Sequence, residues 1–302
     1  MIGTKILGFG GYQPDNVVTN DDLAKIVDTN DEWIRARVGI ESRRVAADDE
    51  TVADMAEAAG AKALASSGLE PSDVDLVIVA TCSAESVMPN VAPTVAHRLG
   101  IKAPGAFDLN AACAGFFSAP MTSALRAEKM TSLIDWNDRS TCIIFADGAG
   151  AAVVGPSAAD EPTGIGPVVW GSAGDMAQKI TVPGRTGAIT QDGQSVFRWA
   201  TTAIAPVALE ACRRAGVKPE EITAFVPHQA NLRIVEAIAR KLGIPRELVA
   251  DDIITAGNTS SASVPLALSR MAEQGRLQPG TPALLVAFGA GLSYASQVIT
   301  VP

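Results

Sequence analysis

Three apolar runs lack any polar alternation: residues 76–80 (LVIVA), 142–146 (CIIFA) and 284–288 (LLVAF). Such runs predict strands buried on both faces, as in sheets covered by helices. Between them, residues 51–67, 197–215 and 231–242 carry helical patterning. Strands alternating with helices predict an α/β fold. No convincing strand is read in FFSAPMTSALRAEKMTSLIDW (116–136), and Pro120 there predicts an early interruption of any helix.

The pattern also repeats. Residues 75–101 and 223–244 both read as strand, polar loop, then a helix closing on Leu-Gly-Ile. After each closing comes an Asp and a short run that opens a helix of small residues, DLNAACAGF in the first copy and DIITAGNTSSASVP in the second. In this register Cys113 and Asn258 occupy corresponding places, so a duplicated domain brings them face to face. The stretch GPSAADEPTG (155–164), rich in Gly, Pro, Ser and charge, marks the boundary between halves 1–157 and 158–302.

Composition narrows the function classes. Of 302 residues, 47% are hydrophobic and 19% charged, which fits a globular chain with a substantial core. A net charge of −9 argues against general binding to nucleic acid or anionic membranes. The opening MIGTKILGFGGYQP has no basic segment followed by a long apolar run, and the expected location is cytoplasmic. Four scattered cysteines and two histidines suggest neither a metal site nor a disulfide framework.

Cys113, where a strand-like run gives way to a helix start, can be a packing residue or a nucleophile. A helix N-terminus there lowers the thiol pKa. Cys82, Cys142 and Cys212 sit in apolar stretches and read as packing residues. His228 follows a presumed strand and should lie at its carboxyl end, where α/β sheets place ligands, whereas His97 lies inside a helix. Asn258 alone could be an ordinary helix cap.

Taken together, NAACAGF, VPHQANLRI and GNTSSASVP resemble the motifs of β-ketoacyl-acyl-carrier-protein synthase III, a thiolase-fold condensing enzyme. The resemblance also covers NDEWIRARVGIESRR (30–44), DWNDRSTCIIFADGAGAAVV (135–154), GQSVFRWA (193–200) and AFGAGLSYAS (287–296). It implies a thiolase-like fold of two duplicated α/β halves in αβαβα layers, assembled as a homodimer, with no permanently bound cofactor. Cys113 is implied to take the acyl group from an acyl-CoA substrate. Malonyl-acyl carrier protein is implied to lose carbon dioxide and attack, with His228 and Asn258 as neutral donors to the thioester oxygen.

By the same resemblance the backbone N–H groups of Cys113 and Ala290 form an oxyanion hole, with Ala290 tolerable in place of the family's frequent Gly if its φ stays negative. Phe288 and Met88 belong to the acyl pocket, Met88 by reaching into the partner subunit. Trp33, Arg37 and Arg139 hold the nucleotide end of CoA, and Val38 replaces a frequent Thr beside them. Arg198, Arg233, Arg240 and Lys241 form a basic patch for the acidic carrier protein. One departure stands out: only 23 residues separate Cys113 from Trp136, about thirteen fewer than the family uses. Other readings of the same residues are a priming ketosynthase or acyltransferase of polyketide synthesis, a papain-like Cys-His-Asn protease, and a non-catalytic acyl-binding relative.

Overall fold

A computed structural model of the chain describes residues 3–117, 124–158, 161–184 and 187–302, except for the side chains of residues 116, 117 and 124. Strands β1 (Thr4–Tyr12), β2 (Leu76–Ala80), β3 (Gly105–Leu109), β4 (Ala124–Lys129) and β5 (Asp147–Pro156) form one sheet in the order β1-β5-β4-β2-β3. β2 runs parallel to β3 and β4, and β5 runs antiparallel to β1 and β4. A second sheet holds β6 (Val169–Ser172), β7 (Ala224–Pro227), β8 (Pro282–Gly289) and β9 (Ser293–Thr300) in the order β7-β8-β9-β6. Only the pair β7/β8 is parallel there.

Six helices place these sheets: α1 (Asp31–Val38), α2 (Val52–Ser67), α3 (Val91–Arg98), α4 (Gly193–Ala215), α5 (Leu232–Leu242) and α6 (Ser263–Glu273). Their ends are coded locally. Thr51 and Asp54 exchange side-chain and backbone hydrogen bonds in a capping box at the start of α2, and Gly68, at φ 72°, ends it. Asn231 caps α5 by accepting from the Arg233 N–H at 2.9 Å.

Burial defines the layers. Val52, Met55 and Ala59 of α2 pack with Val95 of α3 on Val77 and Val79, covering the outer face of the first sheet. Ile204 and Ala208 of α4, with Ile234 and Ile238 of α5, cover Phe225 and Val286 on the outer face of the second. Leu268 and Met271 of α6 lie between the sheets, against Ile6, Ala152, Leu285 and Ile299. The result is the αβαβα thiolase-like layering expected. Both copies of the repeat are realised, β2 with α3 and β7 with α5. Among the described residues no helix is long and apolar enough to cross a membrane.

Two expectations are overturned. Residues 142–146 form no strand: Asp138 caps the short helix Arg139–Cys142, and β5 begins only at Asp147. The apolar run instead clamps the Asn258 loop, with the Ala146 N–H bonded to Asn258 O at 3.0 Å and the Asn258 N–H to Ile144 O at 2.9 Å. Conversely, the segment read as strandless contributes β4, which lies between β5 and β2. Its sequence, ALRAEK, hides a strand because Arg126 and Glu128 are wholly buried. Glu128 accepts hydrogen bonds from Ser83 Oγ (2.6 Å), Ser261 Oγ (2.7 Å), Thr81 Oγ1 (3.1 Å) and the Cys82 N–H (3.0 Å), which makes burial of the carboxylate tolerable. A strand after the nucleophile is therefore present, and Cys113 itself lies in a 3-10 helix, Ala112–Phe117. Pro120 lies outside the described residues.

Candidate active site

Cys113 is the second residue of that 3-10 helix, just past the carboxyl end of β3. Ala112 before it takes a left-handed φ of 45°, which turns the chain out of the strand. The turn presses against the end of β8, where a Cβ on Gly289 would stand 2.6 Å from Cys113 Cβ and 2.9 Å from its Sγ. Only glycine at 289 lets the sulfur sit there.

His228 follows β7, and its backbone N–H bonds to Val286 O at 2.7 Å. The ring is 2% exposed and meets Phe288 edge-on, with centroids 5.4 Å apart. Burial lowers its pKa to about 3, so the imidazole is neutral at ordinary pH. Ser263 Oγ lies 2.6 Å from Nδ1 and accepts the Gln229 N–H at 3.3 Å. A donor role for Nε2 requires the hydroxyl to direct its own proton to Nδ1. The ring proton then stays on Nε2. Asn258 is oriented in a similar way: its Oδ1 accepts the Ser260 N–H at 2.9 Å, so the amide nitrogen is the end available to a ligand.

Cys113, His228, Asn258, Phe288 and Ala290 line a single cavity of about 850 Å³. The Cys113 thiol thus shares one cavity with the His228 ring and the Asn258 amide, and the Cys82 thiol lines it too. Ala290 is not among the residues with positive φ, which meets the condition set on its implied oxyanion role. The thiol itself departs from expectation: its pKa is pushed up to about 11. Burial is the main cause; the Glu128 charge adds to it, while the Ser260 hydroxyl and the N–H groups of Cys113 and Ala290 oppose it. A six-residue 3-10 turn does not supply the long helix dipole on which the opposite expectation rested.

Sequence and fold comparisons agree with this geometry. Residues 212–301 match the family model 3-oxoacyl-[acyl-carrier-protein] synthase III C terminal, and residues 124–174 match 3-oxoacyl-[acyl-carrier-protein] synthase III. The chain is 52% identical to β-ketoacyl-[acyl-carrier-protein] synthase III 4 of Streptomyces coelicolor, over 99% of both chains. It is 49% identical to synthase III 2 of Streptomyces avermitilis over the whole of both. The chain belongs to the β-ketoacyl-[acyl-carrier-protein] synthase III family. Among solved structures, synthase III of Aquifex aeolicus shares 40% identity at a TM-score of 0.94, covering 99% of this chain and 100% of that one. The priming β-ketosynthase of the R1128 polyketide pathway shares 41% at a TM-score of 0.94, covering 99% and 96%. The second family match begins at β4, so Cys113 and its shortened turn lie outside both matched stretches.

The other synthase III positions gather less closely. The Arg37 and Arg139 guanidinium groups lie over the Trp33 ring, 5.4 and 4.6 Å from its centroid, and Arg139 also donates to Asp28 O. Asn231, a cavity residue, donates to Arg37 O at 3.2 Å and so connects this cluster to the cavity rim. Arg233 lies 5.2 Å over the Phe197 ring, which also lines the cavity. Arg198, Arg233, Arg240 and Lys241 are exposed, and Lys241 donates to Thr201 O at 2.6 Å. Met88 is 83% exposed and is not part of its own chain's cavity wall, whereas Val87 is.

Sequence reading missed Ser260, Ser263 and Glu128, and misread Cys82. Cys142 and Cys212 are buried as read, but Cys82 lines the cavity with polar company. Its sulfur is 3.4 Å from both Glu128 oxygens and 3.9 Å from Ser260 Oγ, and burial next to that carboxylate pushes its pKa well up. The serines lay in GNTSSASVP, but nothing in local sequence distinguishes a serine that faces sulfur from one that caps a helix.

Proposed function

We propose that this chain performs decarboxylative Claisen condensation of an acyl-CoA primer with malonyl-acyl carrier protein, the first condensation of fatty acid synthesis, through an acyl-Cys113 intermediate. The observation that carries this reading is the single cavity shared by Cys113, His228 and Asn258, with both donors neutral and fixed in orientation. In the first half-reaction Cys113 attacks the primer thioester, and the N–H groups of Cys113 and Ala290 receive the developing oxyanion. In the second, malonyl loses carbon dioxide, and His228 Nε2–H with the Asn258 amide stabilises the enolate oxygen. The enolate carbon then attacks the acyl carbon and frees Cys113. No strong base is needed, which suits an imidazole kept neutral by burial.

Trp33, Arg37 and Arg139 are assigned to the nucleotide of CoA, since an indole face stacks on adenine and guanidinium groups pair with phosphate. Arg198, Arg233, Arg240 and Lys241 are assigned to the acidic carrier protein. We also assign the chain to the cytoplasm, as a homodimer of two-half subunits divided at residues 157/158, with Met88 of one subunit entering the acyl pocket of the other and its flexible side chain admitting branched primers.

Mass spectrometry of the intact protein after incubation with a panel of acyl-CoAs tests the reading. A mass gain equal to the acyl group, absent in Cys113→Ala, is the expected result; no acylation by any primer sinks it. The likeness to a polyketide priming ketosynthase supports a second reading with the same intermediate and another acceptor. Condensation with carrier proteins of the two pathways separates them.

A further inference from the structure

Within the cavity, one side chain touches the nucleophile that neither motif nor family match assigns. Ser260 Oγ lies 3.4 Å from Cys113 Sγ, and Ser260 is buried. Its φ is 50°, a left-handed conformation that non-glycine residues rarely hold without a reason in the surrounding structure. Its backbone N–H fixes the Asn258 amide, so one strained residue faces both partners of the site.

We propose that the Ser260 hydroxyl is a catalytic group of the acylation half-reaction, donating a hydrogen bond to the Cys113 sulfur as that sulfur loses its proton. The surroundings leave this role to Ser260. Among the described residues, Cys82 after β2, His228 after β7, Asn258 and Ala290 after β8 line the cavity with Cys113, and the Glu128 charge on β4 acts on its sulfur. The sign of the Glu128 charge opposes a thiolate. Cys82, 3.4 Å from an acceptor-only carboxylate, spends its proton on Glu128. Its sulfur stands 3.9 Å from Ser260 Oγ, farther than that of Cys113. The hydroxyl proton therefore has Cys113 as its nearer sulfur. On a six-residue 3-10 turn, the nucleophile has more need of such a donor than it would at the start of a long helix.

The step balances without a further reagent. The sulfur–carbon bond to the acyl carbon forms, the bond from that carbon to the CoA sulfur breaks, and the thiol proton ends on released CoA. The hydroxyl is not consumed. Once Cys113 is a thioester its sulfur is neutral, so the hydroxyl should matter little to the loss of carbon dioxide, and it acts again only when the enolate expels Cys113 as a thiolate.

The inference rests on the acyl-transfer reading, and the test separates the two. Ser260→Gly deletes the hydroxyl while keeping the N–H to Asn258 and a residue at ease with positive φ. Alkylation of Cys113 by iodoacetamide is followed against pH by intact mass, with Cys113→Ala as control. Acylation by acetyl-CoA and release of carbon dioxide from malonyl-carrier protein on preformed acyl-enzyme are timed separately. The midpoint of alkylation is expected to rise by about one pH unit, acylation near neutral pH to fall about tenfold, and loss of carbon dioxide on the preformed acyl-enzyme to change by less than acylation does. Ser260→Ala, the same chemical deletion with the strained backbone, must shift the midpoint equally. Superimposable alkylation profiles overturn the role of Ser260. A shifted profile in a protein that no acyl-CoA acylates overturns the acyl-transfer reading and leaves the Ser260 contact standing.

Discussion

The enclosure of His228 makes a quantitative prediction about acid stability. Its folded pKa is lowered to about 3 by burial. In the unfolded chain the imidazole returns to about 6.5. Above that pH both states hold it neutral, and it contributes nothing to the pH dependence. Below it the unfolded chain binds a proton that the folded chain refuses, so stability is lost as pH falls from about 6.5 towards 3. At 1.36 kcal/mol per pH unit, the loss from this residue is about 2 kcal/mol at pH 5 and approaches about 5 kcal/mol near pH 3. Urea unfolding at about pH 7.5 and about pH 5, at one fixed protein concentration, compares the parent with His228→Asn. The carboxylates common to both cancel in the difference. The parent should lose about 2 kcal/mol more than the variant between the two pH values. Parallel losses would falsify the assignment of a neutral, proton-refusing ring. They would also mean that Ser263 accepts a proton from Nδ1 of an imidazolium and does not donate to a neutral ring.

Three further outcomes follow from contacts described above. Ser263→Ala strands the Gln229 N–H and frees Nδ1, at a cost of about 1–3 kcal/mol in stability; condensation should fall by about 10- to 100-fold with acylation nearly unchanged, Ser263→Thr restoring it, and an equal loss in both half-reactions would refute a tautomer-setting role. Gly150→Ala puts a Cβ 2.4 Å from Leu266 N and 2.7 Å from Pro265 C, where β5 meets the start of α6; backbone cannot yield that far, so the melting temperature should drop steeply or soluble protein be lost, and a melt within about 2 °C of the parent would contradict the close packing of sheet on helix. Arg233→Glu combined with Arg240→Glu should weaken the apparent affinity for malonyl-carrier protein without slowing self-acylation by acyl-CoA, and unchanged affinity would remove the basic patch from the docking surface.

What the sequence disclosed, and what it hid, divides along the reach of the interactions involved. The strands at 76–80 and 224–227 and the helices after them were legible because apolar runs, caps and closing glycines are local signals. Their repetition was enough to bring Cys113 and Asn258 into one cavity. Strand β4 was illegible because its buried Arg126 and Glu128 resemble a solvated face until the surrounding hydroxyls and N–H groups are seen. The run at 142–146 misled in the opposite direction: apolarity reported burial correctly, but that burial serves a clamp on the Asn258 loop and not a ladder. Cys82 failed for the reason β4 did, since its polar company comes from 46 residues away.

The misjudged acidity of Cys113 belongs with these long-range effects, and it exposes a conflict inside the cavity. Enclosure strengthens the two neutral donors, because hydrogen bonds to a developing enolate gain in a medium that water cannot screen. The same enclosure opposes the thiolate on which acylation depends and moves the sulfur away from ionising near neutral pH. A site with a long helix behind its cysteine can offset that penalty with the helix dipole, and among the described residues Cys113 has the 3-10 turn Ala112–Phe117. The offset must then come from groups that reach the sulfur directly. Those in contact are the Ala290 N–H, its own N–H and the Ser260 hydroxyl, of which Ser260 alone can be deleted as a side chain. A shortened nucleophile segment therefore shifts the burden of acylation from local structure onto the facing loop that already orients Asn258.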